Sequence, residues 1–300
     1  MPSVAFATYQ QSPQLSDDDR LVAGVLGRRG VDVHPVVWDA PDVDWAGFDL
    51  VVIRSTWDYH RKPDMYAQWL RSFLPGADRL WNPPAVVLGN LNKRYLIELA
   101  KSGVNVVPTA CVGAGDGQRL RTVIERSGWD EVVIKPAISA SGRGAWRSSL
   151  AAAAGDQARF VDQAQAHDML IQPYFPEIAS SGEWSLIFLD GNYSHAVLKK
   201  PAGGDFRVQR HFGGKPEAAA PSGRLVDQAS AIVQKIGAPL LYARVDGIER
   251  GGDFVLMELE LNEPYLFLSL SDDAATRFAD AIVRLLSEVG RRGGVSHRGH

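Results

Sequence analysis

The first 75 residues alternate short apolar runs with stretches of helical spacing, and that alternation admits few folds. Residues 4–8, 32–38 and 50–54 are apolar, β-branched runs of strand length. Between the first two, Leu21, Val22, Val25 and Leu26 recur at helical spacing over 17–29, with Ser16 placed to cap the helix and Gly30 to stop it. A second helix is expected over 64–73. Strands separated by helices run parallel, with the helices on the faces of the sheet. Ligands of such sheets sit at the carboxyl ends of the strands. Residues 8–11 and 54–59 lie there.

The Asn82-Pro83-Pro84 break separates this segment from the rest. Beyond it, helices are expected over 92–102, 118–127, 151–166, 225–236 and 272–289. Strands are expected over 104–111, 131–135, 169–172, 184–189, 193–200, 241–247 and 253–261. The fold class is α/β (α+β). A Gly- and Arg-rich tail, 291–300, reads as disordered.

Composition excludes several functions. The net charge of −3 and pI near 6.2 leave no basic field to hold nucleic acid. A single cysteine, Cys111, rules out a disulfide framework and a Cys-built zinc site, and suits a reducing compartment. The N-terminus lacks signal-peptide features, and no apolar run approaches the ~18 residues of a membrane span. A cytoplasmic protein without nucleic-acid or membrane partners is expected.

Only eight of the 32 basic residues are lysines, and two stand at notable places. Lys93 opens the helix after the Pro break. Lys135 ends an apolar strand just before the small-residue loop 137–145, which contains Ser141 and Gly142. Small residues let backbone N–H groups close on an anion, and an ammonium adds a point charge. The loop is neither a Walker A sequence nor a dinucleotide-binding pattern; a flexible surface loop is the alternative. The run Gln172-Pro173-Tyr174-Phe175-Pro176-Glu177 leaves a strand for a proline-bounded segment whose unpaired backbone groups can bond a purine edge, or simply connect strands. Farther on, Arg244 and Asp246 alternate on one strand, and Glu258, Glu260 and Asn262 share a face of the next. Met257, Leu259 and Leu261 point the other way, into a core. Crowded carboxylates repel unless a cation neutralises them, and oxygen donors of this kind suit magnesium. A solvated polar strand face is the alternative.

This order of pieces resembles the ATP-grasp superfamily of carboxylate–amine ligases over about residues 88–290. The resemblance implies an ATP-grasp fold preceded by a Rossmann-like pre-ATP-grasp domain. The units would span 1–87, 88–172 (central subdomain) and 173–290 (C-terminal subdomain). It also implies roles. Lys93, Lys135, Ser141 and Gly142 would contact ATP phosphates, residues 172–175 would lie along the adenine, and Glu177 or Glu183 would reach the nucleoside. Asp246, Glu258 and Glu260 would hold Mg2+, with Asn262 the weaker choice because the distance to Pro264 favours Glu258/Glu260. Arg244 and Arg207 would serve catalysis.

A narrower resemblance lies in Arg54-Ser55-Thr56-Trp57-Asp58-Tyr59, Leu198-Lys199-Lys200-Pro201, Asp205-Phe206-Arg207-Val208-Gln209 and residues 257–261. These are similar to the short ATP-grasp proteins that include the O-ureido-serine cyclo-ligase of D-cycloserine biosynthesis. It implies activation of a small amino-acid-like carboxylate as an acyl phosphate and intramolecular ring closure. Arg54, Ser55, Trp57, Asp58 and Tyr59 would recognise the amino acid, Arg54 pairing with a carboxylate and Asp58 with an ammonium. An intermolecular ligase of glutathione- or dipeptide-forming type is the second reading, and a non-catalytic ATP-binding module the third. Relatives are often dimers or tetramers, which leaves room for a homo-oligomer.

Overall fold

The computed structural model describes residues 1–76, 78–202, 207–208 and 213–295. The N-terminal alternation forms a four-stranded sheet from β1 (Ser3–Thr8), β2 (Asp32–Val37), β3 (Leu50–Ile53) and β4 (Leu80–Trp81). Its order is β2-β1-β3-β4, and every pairing is parallel. Pro35 cannot donate to a ladder, and it sits on the edge strand β2, where this is tolerated. Helix α1 (Asp17–Arg28) starts at Ser16, whose side chain accepts the Asp19 N–H, and its acidic first turn suits the positive end of the helix dipole. Helix α2 (Pro63–Ser72) covers the other face, with Tyr66 and Leu70 fully buried.

The Pro break opens α3 (Pro84–Asn90), and α4 (Tyr95–Lys101) follows. The helix expected over 92–102 is α4, which starts three residues later at Tyr95, and α3 before it was not expected; Lys93 lies in the turn between them. Asn92 explains the later start: its side-chain oxygen accepts the Arg94 N–H, and such local bonding competes with helix. The strand expected over 104–111 shrinks to β5 (Ala110–Val112), because Pro108 interrupts it. Strand β5 joins β6 (Glu131–Pro136), β7 (Trp146–Ser149) and β8 (Met169–Pro173) in the antiparallel order β5-β8-β6-β7. Helices α5 (Leu120–Ser127) and α6 (Ala153–Ala166) share a core with this sheet through Leu120, Ile124, Ile134 and Phe160.

After α7 (Glu177–Ser180), a third sheet forms from β9 (Glu183–Leu189), β10 (Asn192–Lys200), β11 (Lys215–Ala218), β12 (Tyr242–Arg250) and β13 (Asp253–Glu260). Its order is β11-β10-β9-β12-β13, all antiparallel. Helix α8 (Gly223–Gln234) packs on β12 and β13, and α9 (Ala274–Val295) lies between this sheet and α1. The last helix runs to Val295 where the tail was expected from 291. Its apolar stripe through Phe278, Ile282 and Leu285 anchors it, and residues 296–300 lie outside the described ones. Among the described residues no helix is long and apolar enough to cross a membrane.

Candidate active site

A cavity of about 470 Å³ opens between the second and third sheets. The pleat explains its polarity. In β12 and β13, Arg244 pairs with Glu260 and Asp246 with Glu258, so four ionic side chains occupy two rungs of one ladder. A register shift follows between Asp246 and Gly247, so the strict alternation ends there.

Arg244 organises this end. Its Nε lies 3.0 and 3.1 Å from the two Asp246 oxygens, its Nη2 reaches Asp246 at 2.8 Å and also Glu260, and its Nη1 donates to the Tyr265 carbonyl at 3.0 Å. Lys199 sits behind, 2.6 Å from Glu183 and 3.4 Å from Asp246. Asp246 also accepts from Ser185. Burial works to raise the Asp246 pKa, but the Arg244 and Lys199 cations hold it at about 2. Glu260 is different: burial, with Glu258 and Asp246 nearby, outweighs Arg244 and pushes its carboxyl up to about 7. Burial likewise acts on Glu258, but Lys93 and Lys135 win and lower it.

The opposite wall carries the lysines. Lys93 Nζ lies 3.3 Å from Glu258 and donates to the Ser139 carbonyl. Lys135 stands at the end of β6, and burial lowers its pKa. Ser141 and Gly142 line the cavity from the loop above them, both at positive φ. Gln172, Pro173 and Phe175 line it from the hinge, with Gln172 donating to Thr109 at 2.9 Å. Arg207 and Glu183 also face it.

Several expected residues lie elsewhere. Tyr174 and Glu177 line a separate cleft on the back of the hinge, where Tyr174 stacks under Arg147 at 3.7 Å and Glu177 pairs with Arg250 at 3.1 Å. Pro173 and Phe175 border both spaces, so the hinge is the partition between them, and Tyr174 and Glu177 fall on its far side. Arg54 is 2% exposed; its Nε bonds Asp19 at 2.7 Å and its guanidinium lies over the Tyr242 and Phe278 rings. It braces the wall from behind, donating to the Pro264 carbonyl at 3.3 Å, and does not line the cavity. Ser55 is buried as well. Asp58 accepts the Trp38 indole N–H at 2.8 Å and faces Lys62. Of 54–59, only Trp57 and Tyr59 reach the cavity. Met257 and Leu259 pack on the core as expected, and both also line the cavity. Asp205, Phe206 and Gln209 lie outside the described residues.

Among the lining residues with no site role assigned from sequence are Lys199, Glu263, Tyr265 and Phe267, Lys199 having figured only within the Leu198–Pro201 run. Lys199 carried a signal, as one of the few lysines and at a strand end. The other three follow the Glu-x-Glu strand and could be placed only by the path of the loop.

The donor set fits magnesium. Glu258 and Glu260 keep 28% and 26% of their side-chain surface accessible and offer hard oxygen donors. Among the described residues no three His, Cys, Asp or Glu side chains converge as a metal site by themselves, so such an ion would complete its shell from a bound ligand. Asp246 is engaged by three donors, and Asn262 accepts the Tyr66 hydroxyl at 2.6 Å through its side-chain oxygen. The two glutamates are thus the accessible pair.

Comparison with known proteins agrees with this architecture. Residues 4–82 match the family model described as D-cycloserine synthetase DcsG, N-terminal domain, and residues 98–250 match prokaryotic glutathione synthetase, ATP-grasp domain. The chain is 32% identical over 275 residues to the cycloserine biosynthesis protein DcsG of Streptomyces lavendulae, covering 86% of this chain and 90% of that protein. Against the crystal structure of D-cycloserine synthetase DcsG the TM-score is 0.82 at 27% identity, over 95% of this chain and 99% of that one. D-alanine–D-alanine ligase from Bacillus anthracis shares the fold, with a TM-score of 0.69 at 13% identity over 98% of this chain and 100% of that one.

Proposed function

The chain belongs to the D-cycloserine synthetase family of ATP-grasp ligases, and from that premise we propose that it closes O-ureido-D-serine to D-cycloserine. The enzyme is an ATP-dependent carbon–nitrogen ligase. The substrate carboxylate takes the γ-phosphoryl group of ATP, leaving ADP and an acyl phosphate. The ring-forming ureido nitrogen of the same molecule then attacks the acyl carbon, loses its proton and expels phosphate. Hydrolysis of the carbamoyl group releases carbon dioxide and ammonia.

Supporting this reading is one observation: a single cavity brings Lys93 and Lys135 on one wall against Arg244, Glu258 and Glu260 on the other. The lysines would hold phosphate oxygens. Arg244, pinned by Asp246 and Glu260, would meet the charge that grows on the acyl oxygen and the departing phosphate, with Arg207 as a second guanidinium on the same cavity. Magnesium held by Glu258 and Glu260 would neutralise the triphosphate. Trp57 and Tyr59 would wall off water from the acyl phosphate. Intramolecular attack benefits from proximity, with effective molarities of ~10⁵ M or more, so positioning can substitute for a strong base.

The test is turnover with ATP, Mg2+ and O-ureido-D-serine as the sole organic substrate. One ADP per D-cycloserine, identified by mass spectrometry, is expected. A requirement for a second amino acid would replace the cyclo-ligase with an intermolecular ligase. ATP binding with no ADP release for any carboxylic acid would leave only a binding module.

A further inference from the structure

Beyond the phosphate end, the cavity wall turns through Asn262 and Glu263 beside Trp57. A buried amide nitrogen and a half-buried carboxyl there lack a side-chain partner among the described residues. Asn262 is 4% exposed, and its side-chain Nδ2 has no hydrogen-bond acceptor among the described residues. The Glu263 carboxyl accepts from its own backbone N–H, and no described cation pairs with it. Lys93, whose charge it feels, pairs with Glu258. Burial, with Glu260 nearby, accordingly pushes the carboxyl up to about 8.

An uncompensated carboxyl in a cavity wall costs stability, and so does a donor with no acceptor. Both costs disappear if the ligand supplies the complements, one cation and one oxygen. Aromatic rings frame the spot: Trp57, whose indole donates to the Glu263 carbonyl at 3.2 Å, and the Tyr265–Phe267 pair with centroids 5.1 Å apart. Rings of this kind admit a compact ammonium and exclude water.

We propose that Glu263, with the Asn262 amide beside it, holds the α-ammonium group and a neighbouring oxygen of the amino-acid substrate, and so restricts the enzyme to substrates carrying a free amine. The assignment rests on the amino-acid ligase reading above and supplies the recognition that Asp58, turned toward Trp38 and Lys62, does not. Glu263 is a specificity residue. It is separate from the Glu258 and Glu260 pair that would hold metal.

The experiment compares wild type with Glu263→Gln, using O-ureido-D-serine and its des-amino analogue. Losing a charge-assisted contact should raise the KM for O-ureido-D-serine about 10- to 100-fold, with the KM for ATP and the magnesium requirement within about twofold. The des-amino analogue should be equally poor for both proteins. Melting temperature at pH 7 should hold, because a carboxyl with a pKa of about 8 is largely protonated there and glutamine matches its shape. A shifted magnesium requirement would make Glu263 a metal ligand instead. A variant that penalises the analogue as much as the substrate would also overturn the assignment.

Should wild type fail to turn over O-ureido-D-serine, the cyclo-ligase reading falls, and the amine site is then judged by calorimetry on ATP-loaded protein. D-serine bound by wild type, 3-hydroxypropionate not bound, and the difference lost in Glu263→Gln would sustain it. No amine-dependent binding by wild type would overturn it.

Discussion

Arg244 is held from three sides, and its guanidinium also lies 5.7 Å from the Phe267 ring centroid. A cation so fixed can meet growing negative charge with little reorganisation. Lysine keeps the charge and loses the fork, so Arg244→Lys should bind ATP within about threefold of wild type and lose about 10²-fold in kcat, the scale of one missing transition-state donor. Steady-state kinetics and a melting curve on one sample check it: a lower melting point with unchanged kcat would make Arg244 a purely structural partner of Asp246. Asp168 acts at the same scale. It accepts the Ala114 N–H at 3.0 Å and meets the Asn92 amide and the Arg94 guanidinium, each at 3.3 Å, so it clamps the turn that carries Lys93. Burial works to raise its pKa, but these donors hold it below the usual range. A folded-state pKa below the unfolded one adds stability above about pH 4 that is lost as pH falls through the folded value. Asp168→Ala should therefore be less stable by about 1–3 kcal/mol at pH 7. The gap should narrow progressively below pH 4, as read by denaturant titrations across pH.

Among the elements, the β12–β13 ladder carries the most chemistry in the fewest residues. Its alternation was readable from sequence: Arg244 with Asp246, and Glu258 with Glu260, do share the cavity side. The register shift after Asp246 was not, and it depends on Gly247. A Cβ there would stand 2.4 Å from the Val255 carbonyl oxygen and 2.5 Å from the Phe254 ring. Neither the neighbouring backbone nor a fully buried ring can give way cheaply. Gly247→Ala should destabilise by about 1–3 kcal/mol and lower kcat by disturbing Asp246 one residue away. Urea unfolding together with turnover per folded molecule measures both effects. The loop at 139–145 shows the same dependence on a small residue: Gly144 has φ +75°, and a Cβ there would press on Pro136 at 3.1 Å.

At the scale of the whole molecule, the N-terminal sheet is docked by polar contacts buried from water. Asn82 donates to the Tyr242 and Leu261 carbonyls and accepts the Leu241 N–H, each at 2.8 Å. The Tyr242 hydroxyl shares its one proton between the Ile53 and Asn262 carbonyls, 2.7 Å from each, and Asp18 accepts the Leu268 N–H. The Arg54–Asp19 pair completes the seam, with both side chains almost fully buried. Asp19→Ala would leave a buried guanidinium unpaired, so a loss of about 3–5 kcal/mol is expected. Asp19→Asn should cost less, since its amide oxygen still accepts from Arg54. Thermal unfolding of the two variants against wild type gives the comparison, and equal, small losses would show that the pair adds nothing to docking.

Local periodicity was enough to set the parallel N-terminal sheet, the Glu-x-Glu strand and the two lysines apart, because these depend on neighbours two to four residues away. The 54–59 run shows the limit of such reading. Six polar and aromatic residues after a strand promise a binding loop, yet Arg54 turns to Asp19, 35 positions back in the chain, and Asp58 to Trp38. Glu263 shows the converse: no pattern marks it, and its bare carboxyl becomes meaningful only where the loop after β13 passes Trp57. Which way a polar side chain faces is decided by partners distant in sequence, since burial without a partner costs more than any local preference supplies. Pleat and helix spacing were therefore written in the chain itself, while the division of its ionic groups between docking seam and cavity was settled only by tertiary packing.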